Sequence, residues 1–176
     1  MKSICFECSL IGKSCCKGTQ ICLTTGDVRR ISQYLAVDSF STIENPDLAY
    51  MDPGDDPGWL TLTLRSDGKR RVLKRTGNQS CMMLGENGCL LPMIVRPLVC
   101  RLHPYLFTEA GIAGIDPDCL ISKEPDWPGV LKQLGMAPGE AHNWHKLLYS
   151  ELHGEYPASS DIDEGARSPE SEKKAA

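Results

Sequence analysis

What the chain lacks narrows its class first. No run of 18 apolar residues occurs, so the sequence offers no membrane-spanning helix. The opening, Met1-Lys2-Ser3-Ile4-Cys5-Phe6-Glu7-Cys8, has no apolar stretch leading to a small-residue cleavage site, so it does not read as a secretory signal. A cytoplasmic protein with no membrane partner is expected. Aromatic residues make up only 6% of the 176 residues, against 41% hydrophobic residues in all, so the core is short of large side chains. A net charge of −4 argues against a chain dominated by nucleic-acid electrostatics. There is no Gly-x-Gly-x-x-Gly, no phosphate-binding P-loop and no Gly-x-Ser-x-Gly, so no nucleotide cradle or serine hydrolase is supported and no catalytic residue is assigned.

Against these absences stand 9 cysteines. Cys5, Cys8, Cys15, Cys16 and Cys22 crowd the start; Cys81, Cys89, Cys100 and Cys119 follow later. Each block holds enough thiols to close a tetrahedral zinc site or hold an iron–sulfur cluster. A disulfide framework is the rival reading, but cytoplasmic thiols stay reduced and an odd count leaves one cysteine over. Metal ligation is therefore expected. Cys5-x2-Cys8 is a spacing at which one turn presents two thiolates to one ion. Cys15-Cys16 is less simple, because adjacent side chains of an extended segment point to opposite faces. Either the two serve different metals, or one of them packs as a small hydrophobe.

Local signals frame these blocks. Thr24-Thr25-Gly26-Asp27 has the form of a capping box, opening a helix to about Val37 through Val28, Ile31, Tyr34 and Leu35. Residues 41–58, rich in Asp, Pro and Gly, read as an irregular connection. Trp59 to Leu64 alternates with period two, and Asp67-Gly68 is a turn signal, so 59–64 and 69–75 are expected to pair as a β-hairpin. Gly85 to Gly88 is expected to turn tightly and present Cys89. A second hairpin is expected from 105–108 and 112–115, with helices over 128–135 and 138–153. The latter sets Trp144, Leu147, Leu148 and Leu152 on one side. From Gly154 the chain is almost without apolar residues and is expected to be a disordered tail.

The second block reads Cys81-Met82-Met83-Leu84, Gly88-Cys89, then Arg96-Pro97-Leu98-Val99-Cys100-Arg101-Leu102-His103-Pro104. With Cys5-x2-Cys8 and Cys15-Cys16 ahead of it, this pattern resembles the YkgJ-type cysteine-cluster family, described as a zinc- or iron-chelating domain, over about residues 3 to 121. Two departures stand out: six residues (Ser9 to Ser14) precede the Cys-Cys pair instead of two, and His103 occupies a position that is often aromatic. The resemblance implies metal or iron–sulfur binding. Because the family includes flagellin lysine N-methylases, it also implies an alternative, a relative of S-adenosylmethionine-dependent protein lysine N-methylases.

The expectation is a small α+β, metal-stapled domain over residues 1–153 with a tail over 154–176. The metal ligands are drawn from Cys5, Cys8, Cys15, Cys16, Cys81, Cys89, Cys100 and Cys119, with Cys22 the spare. The cofactor is an iron–sulfur cluster or zinc, in a redox, sensing or carrier role. Arg96 and Arg101 could donate to sulfur or pair with Glu86 or Asp118. The basic run from Arg65 to Arg75 reads as a solvated strand edge, so nucleic acid is not an expected partner, while a protein partner is left open.

Overall fold

The computed structural model describes residues 15–47 and 56–155. Cys5, Cys8 and the tail from residue 156 on lie outside them. Helix α1 (Thr25–Leu35) starts as its sequence dictates. The Thr24 hydroxyl accepts from the Asp27 amide at 2.9 Å and Asp27 accepts from the Thr24 amide at 3.2 Å, closing the capping box. The helix stops at Leu35, two residues before the expected end, because Ala36 turns left-handed (φ 54°).

Strand β1 (Ser41–Glu44) follows, inside the stretch expected to be irregular. It pairs antiparallel with β2 (Arg70–Leu73), from Ser41 opposite Leu73 to Glu44 opposite Arg70. On the other side of β2, the Leu23 amide donates to the Arg71 carbonyl at 3.0 Å and the Leu73 amide to the Ile21 carbonyl at 2.9 Å. β2 is therefore flanked on both sides by distant parts of the chain.

The expected hairpin over 59–75 does not form. Its first arm is instead helix α2 (Pro57–Thr63), with Asp56 as N-cap and Pro57 at the first helical position. Period-two alternation in so short a segment is a weak signal, and Asp56-Pro57 is a helix start that competes with it. The Asp67-Gly68 turn survives, with Gly68 at φ 72°, but it joins α2 to β2. Arg70 is only 2% exposed, so the basic run is not a uniformly solvated edge.

The remaining elements stand close to expectation. β3 (Leu84–Gly85) and β4 (Gly88–Cys89) pair across the tight turn. Helix α3 (Leu98–Leu102) carries Cys100. β5 (Tyr105–Thr108) and β6 (Gly111–Ile115) form the second hairpin, with a register shift at Leu106/Phe107. A 3-10 turn (Leu120–Lys123), α4 (Trp127–Gln133) and α5 (Pro138–Glu155) follow, α5 running past the expected boundary at His153. On α5, Leu148 and Leu152 are buried, whereas Leu147 faces outward at 39% exposure. The described residues thus form a small α+β fold of five α-helices and three two-stranded antiparallel sheets. None of these helices is long and apolar enough to cross a membrane.

Two apolar cores result. One gathers Ile21, Leu23, Ile31, Phe40, Leu73 and Leu91 around α1 and β2. The other gathers Leu98, Leu102, Ile121, Leu131, Leu148 and Leu152 around α3, α4 and α5. Val99 packs against both, so α3, with Cys100 on its next residue, lies at the seam.

Candidate metal centre

A cavity of about 250 Å3 is walled by residues of both cores. Cys15, Cys16, Cys81, Cys89, Cys100 and Cys119 line it, together with Arg96 and His103. Cys22 does not. It is buried and faces Val72 of β2 across a β-bridge.

Backbone bonding positions each thiol. The Gly18 amide donates to the Gln79 carbonyl at 3.0 Å and the Cys81 amide to the Cys16 carbonyl at 2.7 Å, so the two cysteine blocks are joined main chain to main chain. Just before Cys81 the chain folds back on itself, the Thr76 amide donating to the Ser80 carbonyl at 2.8 Å and the Met82 amide to the Lys74 carbonyl at 3.1 Å. Cys89 is set by the β3–β4 turn and Cys100 by α3. Cys119 precedes the 3-10 turn, its carbonyl accepting from the Ser122 amide at 3.1 Å. Cys15 and Cys16 lie in a turn, so the opposite-face argument for an extended segment does not apply to them: their Sγ atoms are 4.0 Å apart and both residues line the cavity.

The surroundings of the sulfurs are specific. The Met83 amide donates to Cys81 Sγ at 3.4 Å, and the Leu91 amide stands in the same two-residues-on relation to the Cys89 sulfur. Amides aimed at sulfur stabilise its anionic, metal-bound form. Burial pushes the Cys81 thiol up to about 12, against the Met83 amide. Burial likewise raises Cys89, opposed by the Leu91 amide and Arg96. Cys100 is raised well above the ordinary thiol range by burial, then by repulsion from Cys81, Cys16 and Cys89. Cys16 is instead lowered, to about 7, mainly by its bond with Cys15, with burial opposing and Arg96 assisting. These mutual influences mark Cys16, Cys81, Cys89 and Cys100 as one electrostatic group. Burial also lowers His103, which favours the neutral imidazole.

Neither Arg96, on the cavity wall, nor Arg101, behind it, pairs with Glu86 or Asp118. Arg101, 5% exposed, instead spans backbone carbonyls: its Nε donates to Arg96 at 2.8 Å and a terminal nitrogen to Ile94 at 2.5 Å. Arg96 Nε donates to the Leu91 carbonyl at 2.9 Å. His142 and His145 are not among the residues that line the cavity, and His145 bonds the Thr108 carbonyl at 2.7 Å.

Sequence reasoning missed Asp27 as a joint of this site. Besides capping α1, it accepts from the Leu98 amide at 3.0 Å and from Arg30 at 2.7 Å, tying α1 to the first turn of the cysteine-bearing α3. Arg30 continues to Glu151 of α5 at 2.5 Å, and Glu151 also accepts from the Thr24 hydroxyl. The capping box revealed only the local half of Asp27's role; its bond to Leu98 is tertiary and leaves no local signature.

The thiol donor set, with amides and a guanidinium beside it, suits a thiophilic metal or cluster. Among the described residues no three His, Cys, Asp or Glu side chains stand close enough together to hold a single metal ion. A scan against protein-family models and searches of curated proteins and solved structures found no match to this chain.

Proposed function

We propose that this protein binds a cysteine-ligated metal centre in the cavity between its two cores, and that the centre is an iron–sulfur cluster in preference to zinc. The observation that carries the reading is the convergence of Cys16, Cys81, Cys89 and Cys100, from four separate segments, on one largely apolar cavity. A tetrahedral zinc site needs Zn–S bonds of about 2.3 Å, which brings four sulfurs into close contact around one ion. The cysteines of the cavity wall surround a space of about 250 Å3, and the Sγ atoms of Cys15 and Cys16 stand 4.0 Å apart. A space of that size, ringed by six cysteines, has room for a polynuclear group, which spans a larger gap between its ligands than a single ion does. Cys15 and Cys119 on the wall, and Cys5 and Cys8 earlier in the chain, are further ligand candidates. When bound, the cluster would supply one-electron chemistry or sensing. The residues of this chain hold it, shield it in an apolar wall and supply amides to its sulfurs.

Anaerobic purification followed by a visible absorption spectrum tests the reading. A brown protein with charge-transfer bands that bleach with dithionite is expected. A colourless protein with stoichiometric zinc would replace the cluster with a mononuclear site, and one without metal would reject the centre. Tight calorimetric binding of S-adenosylmethionine would favour the methylase alternative.

A further inference from the structure

Arg96 is the one guanidinium on the cavity wall, and its bonding is divided. Nε is committed to the Leu91 carbonyl at 2.9 Å. The carbonyl of Arg96 is held by Arg101 Nε at 2.8 Å, and Arg101 also grips Ile94 at 2.5 Å, so the segment carrying Arg96 is clamped to α3. Arg96 shares the cavity wall with Cys16, Cys89 and Cys100, and its positive charge lowers the Cys89 and Cys16 thiols. No described carboxylate pairs with it, since the arginine ion pairs of the described residues involve Arg30, Arg65 and Arg75. A half-buried cation normally acquires an acidic partner or another anion. Here the groups it faces are thiols, which become anionic when they ligate.

From this we infer that Arg96 is the fixed counter-charge of the bound centre, stabilising its more negative, reduced state and so setting its reduction potential. The inference rests on the cluster reading above. An iron–sulfur cluster held by thiolates carries net negative charge, and gains one more when it accepts an electron. A fixed cation on the wall shared with the ligand sulfurs favours that reduced form, and charge and hydrogen bonds at the sulfurs are the recognised determinants of cluster potential. The side chain must also be arginine, because only its fork can bond the Leu91 carbonyl through Nε while presenting other donors to sulfur.

The test compares anaerobically purified wild-type, Arg96→Gln and Arg96→Lys proteins. Iron and sulfide are measured per chain, and the midpoint potential is titrated with dithionite as the electron donor and followed by visible absorption. Arg96→Gln should retain iron and sulfide and shift the midpoint to more negative potential. Arg96→Lys, which keeps the charge, should shift it less. An unchanged midpoint in a fully loaded Arg96→Gln protein overturns the inference. If Arg96→Gln is folded by circular dichroism yet fails to load, restored loading in Arg96→Lys supports the charge role. Failure of both variants assigns Arg96 to loop geometry and overturns it. A wild-type protein without iron and sulfide rejects the cluster reading itself, an outcome distinct from a loaded protein indifferent to Arg96.

Discussion

Replacing Asp27 by alanine removes a fully buried carboxylate that serves three donors: the Thr24 amide at 3.2 Å, the Leu98 amide at 3.0 Å and Arg30 at 2.7 Å. Arg30 keeps Glu151, so its loss is partial. The two buried amides, left unsatisfied, each cost about 1–3 kcal/mol. Asp27→Ala should therefore lose about 2–6 kcal/mol, a large share of the stability of a small domain. Asp27→Asn is the informative companion. The Leu98 amide and Arg30 both bond Oδ1, while the Thr24 amide alone uses Oδ2. An asparagine that places its oxygen at the Oδ1 position keeps two of the three bonds, and should cost roughly a third to a half as much. Urea unfolding followed by far-UV circular dichroism, with linear extrapolation at constant m, measures both. A loss below about 1 kcal/mol for Asp27→Ala, or equal losses for the two variants, would refute this reading of Asp27 as the joint between α1 and α3.

Other expectations follow from the same structure. Tyr149 donates to Asp56 at 2.9 Å, and burial, with Asp56 assisting, raises its hydroxyl above the ordinary tyrosine range. A raised folded-state value favours the neutral form. Its contribution is thus complete below about pH 10, the unfolded value, and is lost as pH rises beyond it. Tyr149→Phe should cost about 1 kcal/mol at pH 7 and flatten the alkaline fall in urea midpoint; an equally steep fall in the variant would contradict the assignment. A Cβ on Gly26 would collide with the Glu151 carboxylate, so Gly26→Ala should destabilise although alanine is the better helix former, and the penalty should vanish in a Glu151→Ala background, as a double-mutant cycle would record. Arg101→Leu leaves the Arg96 and Ile94 carbonyls without their donor and should lose about 2–4 kcal/mol in the same urea assay. Removing the metal with a chelator should lower the melting temperature, because ligand binding free energy is folding free energy; an unchanged melt would separate the centre from stability.

Where the sequence was legible, the signal was local. The Thr24–Asp27 box, the turn before Cys89 and the 105–115 hairpin each depend on residues within a few positions, and each is present. Trp59 to Leu64 misled because alternation in six residues fits a strand, while the helix start lay just outside the window, at Asp56-Pro57. β2 took its partners from residues 21–23 and 41–44, a non-local choice that a nearby turn signal obscured. At the site, the pattern of the resemblance left Cys22 aside, and Cys22 does not line the cavity, while Cys5 and Cys8 lie outside the described residues. The pattern could not foresee that a turn at Cys15-Cys16 sets both on one wall, nor that Arg96 would face sulfur in place of a carboxylate.

The most direct measurement is iron and inorganic sulfide per chain in anaerobically purified wild-type, Cys100→Ser and Cys22→Ser proteins. Stoichiometric iron and sulfide are expected in wild type and in Cys22→Ser, whose residue lies off the cavity wall, and their loss in Cys100→Ser, whose residue lies on it. Equal loading of all three proteins, or a wild type with neither element, would contradict the proposed centre.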